Sequence, residues 1–269
     1  MTNSSTKIRV GVGGWTYDPW RDNFFPKGLP RSQELGYAAE RLTAIEINGT
    51  YYRTQEPSSF AKWRDATPPG FVFSVKASRY ATNQRVLAEA GPSIKRFINS
   101  GLSELGEKLG PIVWQFMPTK RFEPEDFAAF LAMLPARVEG VALRHAIDAR
   151  HPSFMSSDYL QLARKHQVAT VFADSENYPC FADLTGGFVY ARLMRTEPQH
   201  PFGYEEAALD RWAERAALWA RGEEPSDLPR CEAAVGAAKA APREVFMFFI
   251  SGAKERAPAA AMALLERLR

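Results

Sequence analysis

The chain has 269 residues, 45% of them hydrophobic, with 34 Lys and Arg against 31 Asp and Glu. That length suits a large core and is ordinary for an α/β barrel, while a formal charge of +3 is too small by itself to mark a nucleic-acid or membrane partner. Two widely spaced cysteines, Cys180 and Cys231, argue against a disulfide framework or a zinc ribbon and read as free thiols.

The amino terminus carries no apolar run of signal-peptide length, and the apolar block Val245 to Ile250 is too short to cross a bilayer. A cytoplasmic protein with no membrane partner is expected. Lys7 to Trp15 reads as a β-run ending in glycines, and Pro19, Pro26 and Pro30 keep a long helix out of the aromatic loop that follows. Ser32 fits an N-cap for a helix through Arg41. Thr43 to Tyr52 then reads as a strand with Ile45 and Ile47 on one face and Glu46 and Asn48 on the other. A serine-capped helix over 58–66 stops at Pro68-Pro69-Gly70. In the next strand, FVFSVKA, Phe71, Phe73 and Val75 share a face opposite Ser74 and Lys76.

A helix is expected around 92–105, followed by the strand Pro111 to Met117, in which Gln115 interrupts a buried run. A helix over 123–134 precedes His145 to Arg150, which puts Asp148 and Arg150 on one face and His145 on the other. A helix over 158–166 leads to ATVFADS, ending at Asp174 and Ser175. FVYARLM sets Arg192 in phase with Tyr190, and EVFMFFIS ends at Ser251. Strands separated mostly by helices predict one TIM-type (β/α)8 barrel over residues 1–269, with possible irregularity. Residues 222–242, rich in Ala, Pro, Glu and Gly, read as an irregular excursion before the last strand.

In a barrel, Glu46, Asn48, Lys76, Gln115, Asp148, Arg150, Asp174 and Arg192 all fall near the carboxyl ends of strands, where barrel chemistry sits. Pairing among themselves would explain any one of these charges. Convergence of the whole set points to a ligand site. Trp15, Tyr17, Trp20, Tyr51 and Tyr52 supply either a stacking wall or a cover for the barrel mouth. Ser251 to Arg256 opens the last helix, and its backbone N–H groups with Lys254 suit an anion, supported by Arg192 and Arg195.

Gly11, Gly13 and Gly14 lack the Lys-Ser/Thr ending of a phosphate loop and suggest close packing at the rim. Four histidines, His145, His151, His166 and His200, are too scattered for a histidine metal cluster, although carboxylate-bound Mg²⁺ on Glu46, Asp148 or Asp174 stays open. His151 is the histidine best placed for acid/base work, with anchoring of the His-Pro turn as its other reading. No nucleophile elbow and no local Cys–His pair is present.

The motifs GVGGWTYDPW, EINGTYYR, FSVKAS, DARHPSF, FADS and FVYARLM, in that order from about Lys7 to Leu268, resemble the domain-of-unknown-function 72 (YecE-like) family. The resemblance implies a TIM-type barrel with a polar groove into which Trp15, Tyr17, Trp20, Glu46, Asn48, Tyr51, Lys76, Arg150 and His151 project. Two departures stand out. Asp148 stands where many relatives have Glu, and Ile250-Ser251 stands where many have Phe-Asn.

The resulting expectation is a cofactor-free, metal-independent acid/base enzyme, of hydrolase or lyase type, acting on a small anionic, hydroxyl-rich ligand. Glu46, Asp148 and His151 are its candidate catalytic groups. Trp15, Tyr17, Trp20, Asn48, Tyr51, Lys76, Gln115, Arg150, Asp174, Arg192, Ser251 and Lys254 are its candidate binding groups. A nucleic-acid-binding or processing protein using the same groove, and a barrel that binds without turnover, are the alternatives. The sequence does not identify protein partners.

Overall fold

The structure, a computed structural model, describes residues 8–232 and 241–269. Its strands are β1 (Ile8–Gly13), β2 (Ala44–Ile47), β3 (Val72–Lys76), β4 (Leu109–Gln115), β5 (Arg137–Val138), β6 (Val141–Ala142), β7 (His145–Asp148), β8 (Ala169–Asp174), β9 (Phe188–Leu193) and β10 (Glu244–Phe249). β5 and β6 form a small antiparallel hairpin. The other eight close into a barrel in the order β1-β10-β9-β8-β7-β4-β3-β2, and every neighbouring pair is parallel. This is the predicted TIM-type barrel, and its layout is irregular where β8 reaches β9 through residues 175–187 without a helix.

Strand parity divides the apolar side chains into two cores, as alternation requires. Val10, Val12, Ile45, Ile47, Phe73, Val75, Ile112 and Trp114 point outward and pack under the helices. Ala44, Val72, Val113, Ala146, Val171, Phe188, Phe246 and Phe248 fill the inside of the barrel. Gly11 is required at the β1–β2 contact, because a Cβ there would lie 1.8 Å from the Ala44 carbonyl oxygen. The glycine run of β1 thus serves close strand packing.

Several predicted boundaries move. The strand expected over 43–52 ends at Ile47, and Gly49–Tyr52 form a helical turn instead. The Thr50 hydroxyl contacts the carbonyls of Ile47 at 3.2 Å and Lys76 at 2.7 Å, which ties that turn to the end of β3. Tyr51 and Tyr52 therefore leave from a turn. Ser32 lies inside the 3-10 turn Arg31–Gln33, ahead of a helix that begins at Glu34. Ser58 is likewise not a cap but the second residue of the helix Pro57–Asp65, which proline starts at its first position. The helix expected over 92–105 breaks at Gly101, whose φ of 105° only glycine adopts readily and whose Cβ would meet Pro57 Cα at 2.6 Å.

Of the predicted excursion, residues 222–232 fold back onto the loop after β8. Pro229 accepts from the Ala182 N–H, Asp183 accepts from the N–H groups of Cys231 and Glu232, and Glu232 pairs with Arg164. Residues 233–240 lie outside the described residues. Among the described residues, no helix is long and apolar enough to cross a membrane.

Candidate functional site

Inside the barrel the apolar layer gives way, toward the carboxyl ends of the strands, to a polar one. Glu46 on β2, Gln115 on β4, Asp148 on β7 and Arg192 on β9 all have the inward parity, and all are buried. The Arg192 guanidinium holds them together. Its Nη2 donates to Glu46 Oε1 at 2.6 Å and its Nε to Oε2 at 3.1 Å, while Nη1 donates to Asp148 Oδ2 at 2.6 Å and to Gln115 Oε1 at 3.0 Å. This fork of donors matches the geometry that makes arginine the preferred buried cation. Both carboxylates hold the guanidinium firmly protonated against the cost of burial.

Beneath this layer, the Tyr190 hydroxyl meets Glu46 Oε2 at 2.6 Å and Ser74 Oγ at 2.8 Å, and Ser74 Oγ meets the Pro111 carbonyl at 2.8 Å. Pro111 lies in β4 where the β3–β4 register shifts between Phe73 and Val75. Burial, and then the Glu46 charge, push the Tyr190 phenol well above its ordinary pKa, so it remains a hydroxyl.

Above the polar layer opens a cavity of about 860 Å³, within the range of small-molecule sites. Arg53, Lys76, Arg150, Arg192 and Lys254 line it, and among the described residues no carboxylate does. Three of these cations rest on aromatic faces. Lys76 Nζ lies 4.2 Å from the Tyr51 ring centre, Lys254 Nζ 4.4 Å from Tyr17, and the Arg150 guanidinium 4.2 Å from Tyr178. Arg150 also donates to Asp148 and Gln115. Lys76 and Lys254 form no ion pair among the described residues. Burial first, and then the like charge of Arg192, lower the Lys76 ammonium to about 8. Burial lowers Lys254 as well.

Of the predicted site residues, Trp15, Asn48, Tyr51, Lys76 and Gln115 line the cavity, as do Arg150, Arg192, Ser251 and Lys254. The others stand elsewhere. Asp174 does not face the groove: Val171 points into the barrel, so Asp174, three residues on, points out, where it meets Arg195 and the Tyr204 hydroxyl. Trp20 is wholly buried in the outer core, with its indole N–H on the Lys254 carbonyl at 2.8 Å. Tyr17 packs edge-on against Trp20. These two rings seat Lys254 and do not line the cavity. His151 caps the 3-10 turn Pro152–Phe154, its Nδ1 taking the Ser153 N–H at 3.1 Å. Glu46 and Asp148 sit below the cavity floor, engaged by Arg192.

Sequence reasoning named neither Ser74 nor Tyr190 as site residues, although their phase with Lys76 and Arg192 was the available signal. Tyr178 lies on a loop with no periodicity to reveal it. The carboxylates considered for Mg²⁺ are parted by the barrel wall at Asp174. Among the described residues no group of three His, Cys, Asp or Glu side chains is arranged to hold a metal.

The sequence profile described as "Protein of unknown function DUF72" matches residues 9–269, and the chain belongs to that family. A DUF72 family protein of Thermotoga maritima is 21% identical, with a TM-score of 0.73 over 97% of this chain and 99% of that one. A DUF72 family protein of Enterococcus faecalis V583 is 18% identical, with a TM-score of 0.68 over 97% and 95%. SacUVDE is 14% identical, with a TM-score of 0.55 over 96% and 98%. At these identities the structural likenesses speak for the fold alone. None of the curated proteins compared with the chain is a match.

Proposed function

We propose that this DUF72 protein is a barrel enzyme of hydrolase or lyase type that works by acid/base chemistry on a small anionic, hydroxyl-rich ligand. The observation that carries the reading is the sign of the cavity: cations line it and, among the described residues, no carboxylate does. A surplus of one charge in a concave, partly desolvated site favours a ligand of the other. Asn48, Gln55, Gln115, Thr16 and Ser251 add neutral amide and hydroxyl partners suited to ligand hydroxyls.

In this reading Lys76 moves the proton. It reaches the cavity, and its depressed pKa of about 8 lies near neutral operating conditions, where a general acid or base is most effective. Glu46 and Asp148 act on the ligand only through Arg192, which they orient, and His151 acts only through the turn it caps. No metal is called for, because both interior carboxylates are already held by a guanidinium.

Calorimetric titration of the full chain with inorganic phosphate and with ribose 5-phosphate tests the reading. Saturable binding is expected, and Lys76→Met should weaken it roughly 10- to 100-fold, the worth of one charged hydrogen bond. Absence of saturable binding in the wild type, or an unchanged affinity in Lys76→Met, overturns it. The nucleic-acid alternative shares the same positive surface. It differs in expecting single strands to bind far better than monophosphates, with a steep loss in salt. The barrel that binds without turnover shares every binding outcome and parts from the enzyme only when a bound ligand stays unconverted.

A further inference from the structure

Beside the cavity, the protein exposes aromatic surface that a phosphate or a sugar does not need. Tyr52 is 62% exposed and Tyr80 59%, the highest values among the exposed large hydrophobic side chains. A single exposed ring requires no explanation, but these two flank one cation. The Arg79 guanidinium lies 5.8 Å from the Tyr52 ring centre and 5.5 Å from that of Tyr80. Arg79 forms no ion pair among the described residues. The backbone that carries it is set locally, because Ser78 caps the short helix Arg79–Thr82 by accepting from the Tyr80 N–H at 3.3 Å.

This ridge continues from the anion-binding surface. Tyr52 itself lines the cavity. Its ring meets Tyr51 edge-on at 5.1 Å, and Tyr51 in turn carries the Lys76 ammonium at 4.2 Å. The path from free ammonium to exposed ring is therefore two short steps, within the reach of one molecule carrying an anionic group at one end and a flat ring at the other. A flat π-system stacks on tyrosine and arginine faces alike, and bases stack on such surfaces with little regard to sequence.

We propose that the ligand is a nucleoside monophosphate, its phosphate among Lys76, Arg150 and Lys254 and its base on the ridge of Tyr52, Arg79 and Tyr80. This rests on the anion-binding reading of the groove and narrows its ligand class. The ribose then lies over the neutral amides of Asn48 and Gln55. A strand of nucleic acid would share the stacking, and its affinity relative to the mononucleotide separates the two.

The test is calorimetric titration of the full chain with adenosine 5′-monophosphate, ribose 5-phosphate, inorganic phosphate and a five-nucleotide single strand. The nucleotide should bind roughly 5- to 100-fold more tightly than ribose 5-phosphate, the worth of one stacked base. Tyr52→Ala should cost the nucleotide more affinity than it costs ribose 5-phosphate, and Tyr52→Phe should spare both. Equal affinities for nucleotide and ribose 5-phosphate overturn the proposal while leaving the anion groove standing. So does an equal loss of both in Tyr52→Ala, or a single strand that binds where the mononucleotide does not. If neither phosphate nor ribose 5-phosphate binds, the anion groove and this proposal fall together.

Discussion

Arg192 and Lys76 project into the same barrel mouth, and each meets the cost of burying a cation differently. Arg192 is surrounded by partners: both oxygens of Glu46, one of Asp148 and the amide of Gln115 take its N–H groups. Lys76 has a tyrosine ring and no carboxylate. A ring face attracts a cation without cancelling its charge, so the ammonium keeps its capacity for a further anion. The contrast separates two kinds of buried charge. One is complete within the protein and holds the barrel's polar layer together. The other is left open, and openness is what marks a binding group.

The sharpest way to break this comparison is to remove the paired cation. Arg192→Met leaves Glu46 buried without its counter-ion and Asp148 with Arg150 alone, and a loss of roughly 3 to 5 kcal/mol in urea-unfolding stability is expected. A loss below about 1 kcal/mol would show that water or Arg150 replaces the guanidinium, and the polar layer would then be no closed unit.

The open cation predicts the opposite behaviour, expressed through pH. Because Lys76 titrates near 8 when folded and near 10.5 when unfolded, the unfolded chain binds the extra proton between those values. The contribution of this group to stability therefore rises with pH across that window. Below about pH 8 the folded ammonium costs up to about 3 kcal/mol. Lys76→Met should flatten this part of the stability profile relative to wild type. Parallel profiles for the two proteins between pH 8 and 10.5 would mean that the ammonium is not desolvated as its surroundings imply.

A smaller effect tests the layer beneath. In Tyr190→Phe, Glu46 Oε2 keeps the Arg192 Nε as a donor, so only about 1 to 2 kcal/mol should be lost, with anion affinity unchanged. A loss as large as that of Arg192→Met would place the centre of the network on the phenol.

The family was legible in six motifs standing in order, and the inside of the barrel was legible because strand parity carries over faithfully into a closed sheet. Glu46, Ser74, Lys76, Asp148, Tyr190 and Arg192 point inward as their phase with their neighbours required. Asp174 shows the limit of that reasoning. Being last in a strand says that a side chain stands at the mouth, while parity with Val171 decides which side of the wall it occupies. The loop aromatics were beyond periodicity altogether. Trp20 and Tyr17 hold Lys254 from below, whereas Tyr52 turns outward because Gly49–Tyr52 form a helical turn where a strand was expected. The seating of each cation on a ring was invisible for the same reason: it joins residues from different connections of the barrel.

The row of oxygens beneath Arg192 has a consequence in proton number. Pro111 carbonyl, Ser74 hydroxyl, Tyr190 hydroxyl and Glu46 carboxylate stand in sequence with contacts of 2.8, 2.8 and 2.6 Å. Three contacts require three hydrogens, and the two hydroxyls bring one each. If Tyr190 points to Glu46 and Ser74 to Pro111, nothing lies between the two hydroxyl oxygens. If either one rotates, the unfilled gap moves to an end of the row. The barrel interior thus holds a short wire with one vacancy that can shift along it, and it has room for one hydrogen more than its own side chains supply.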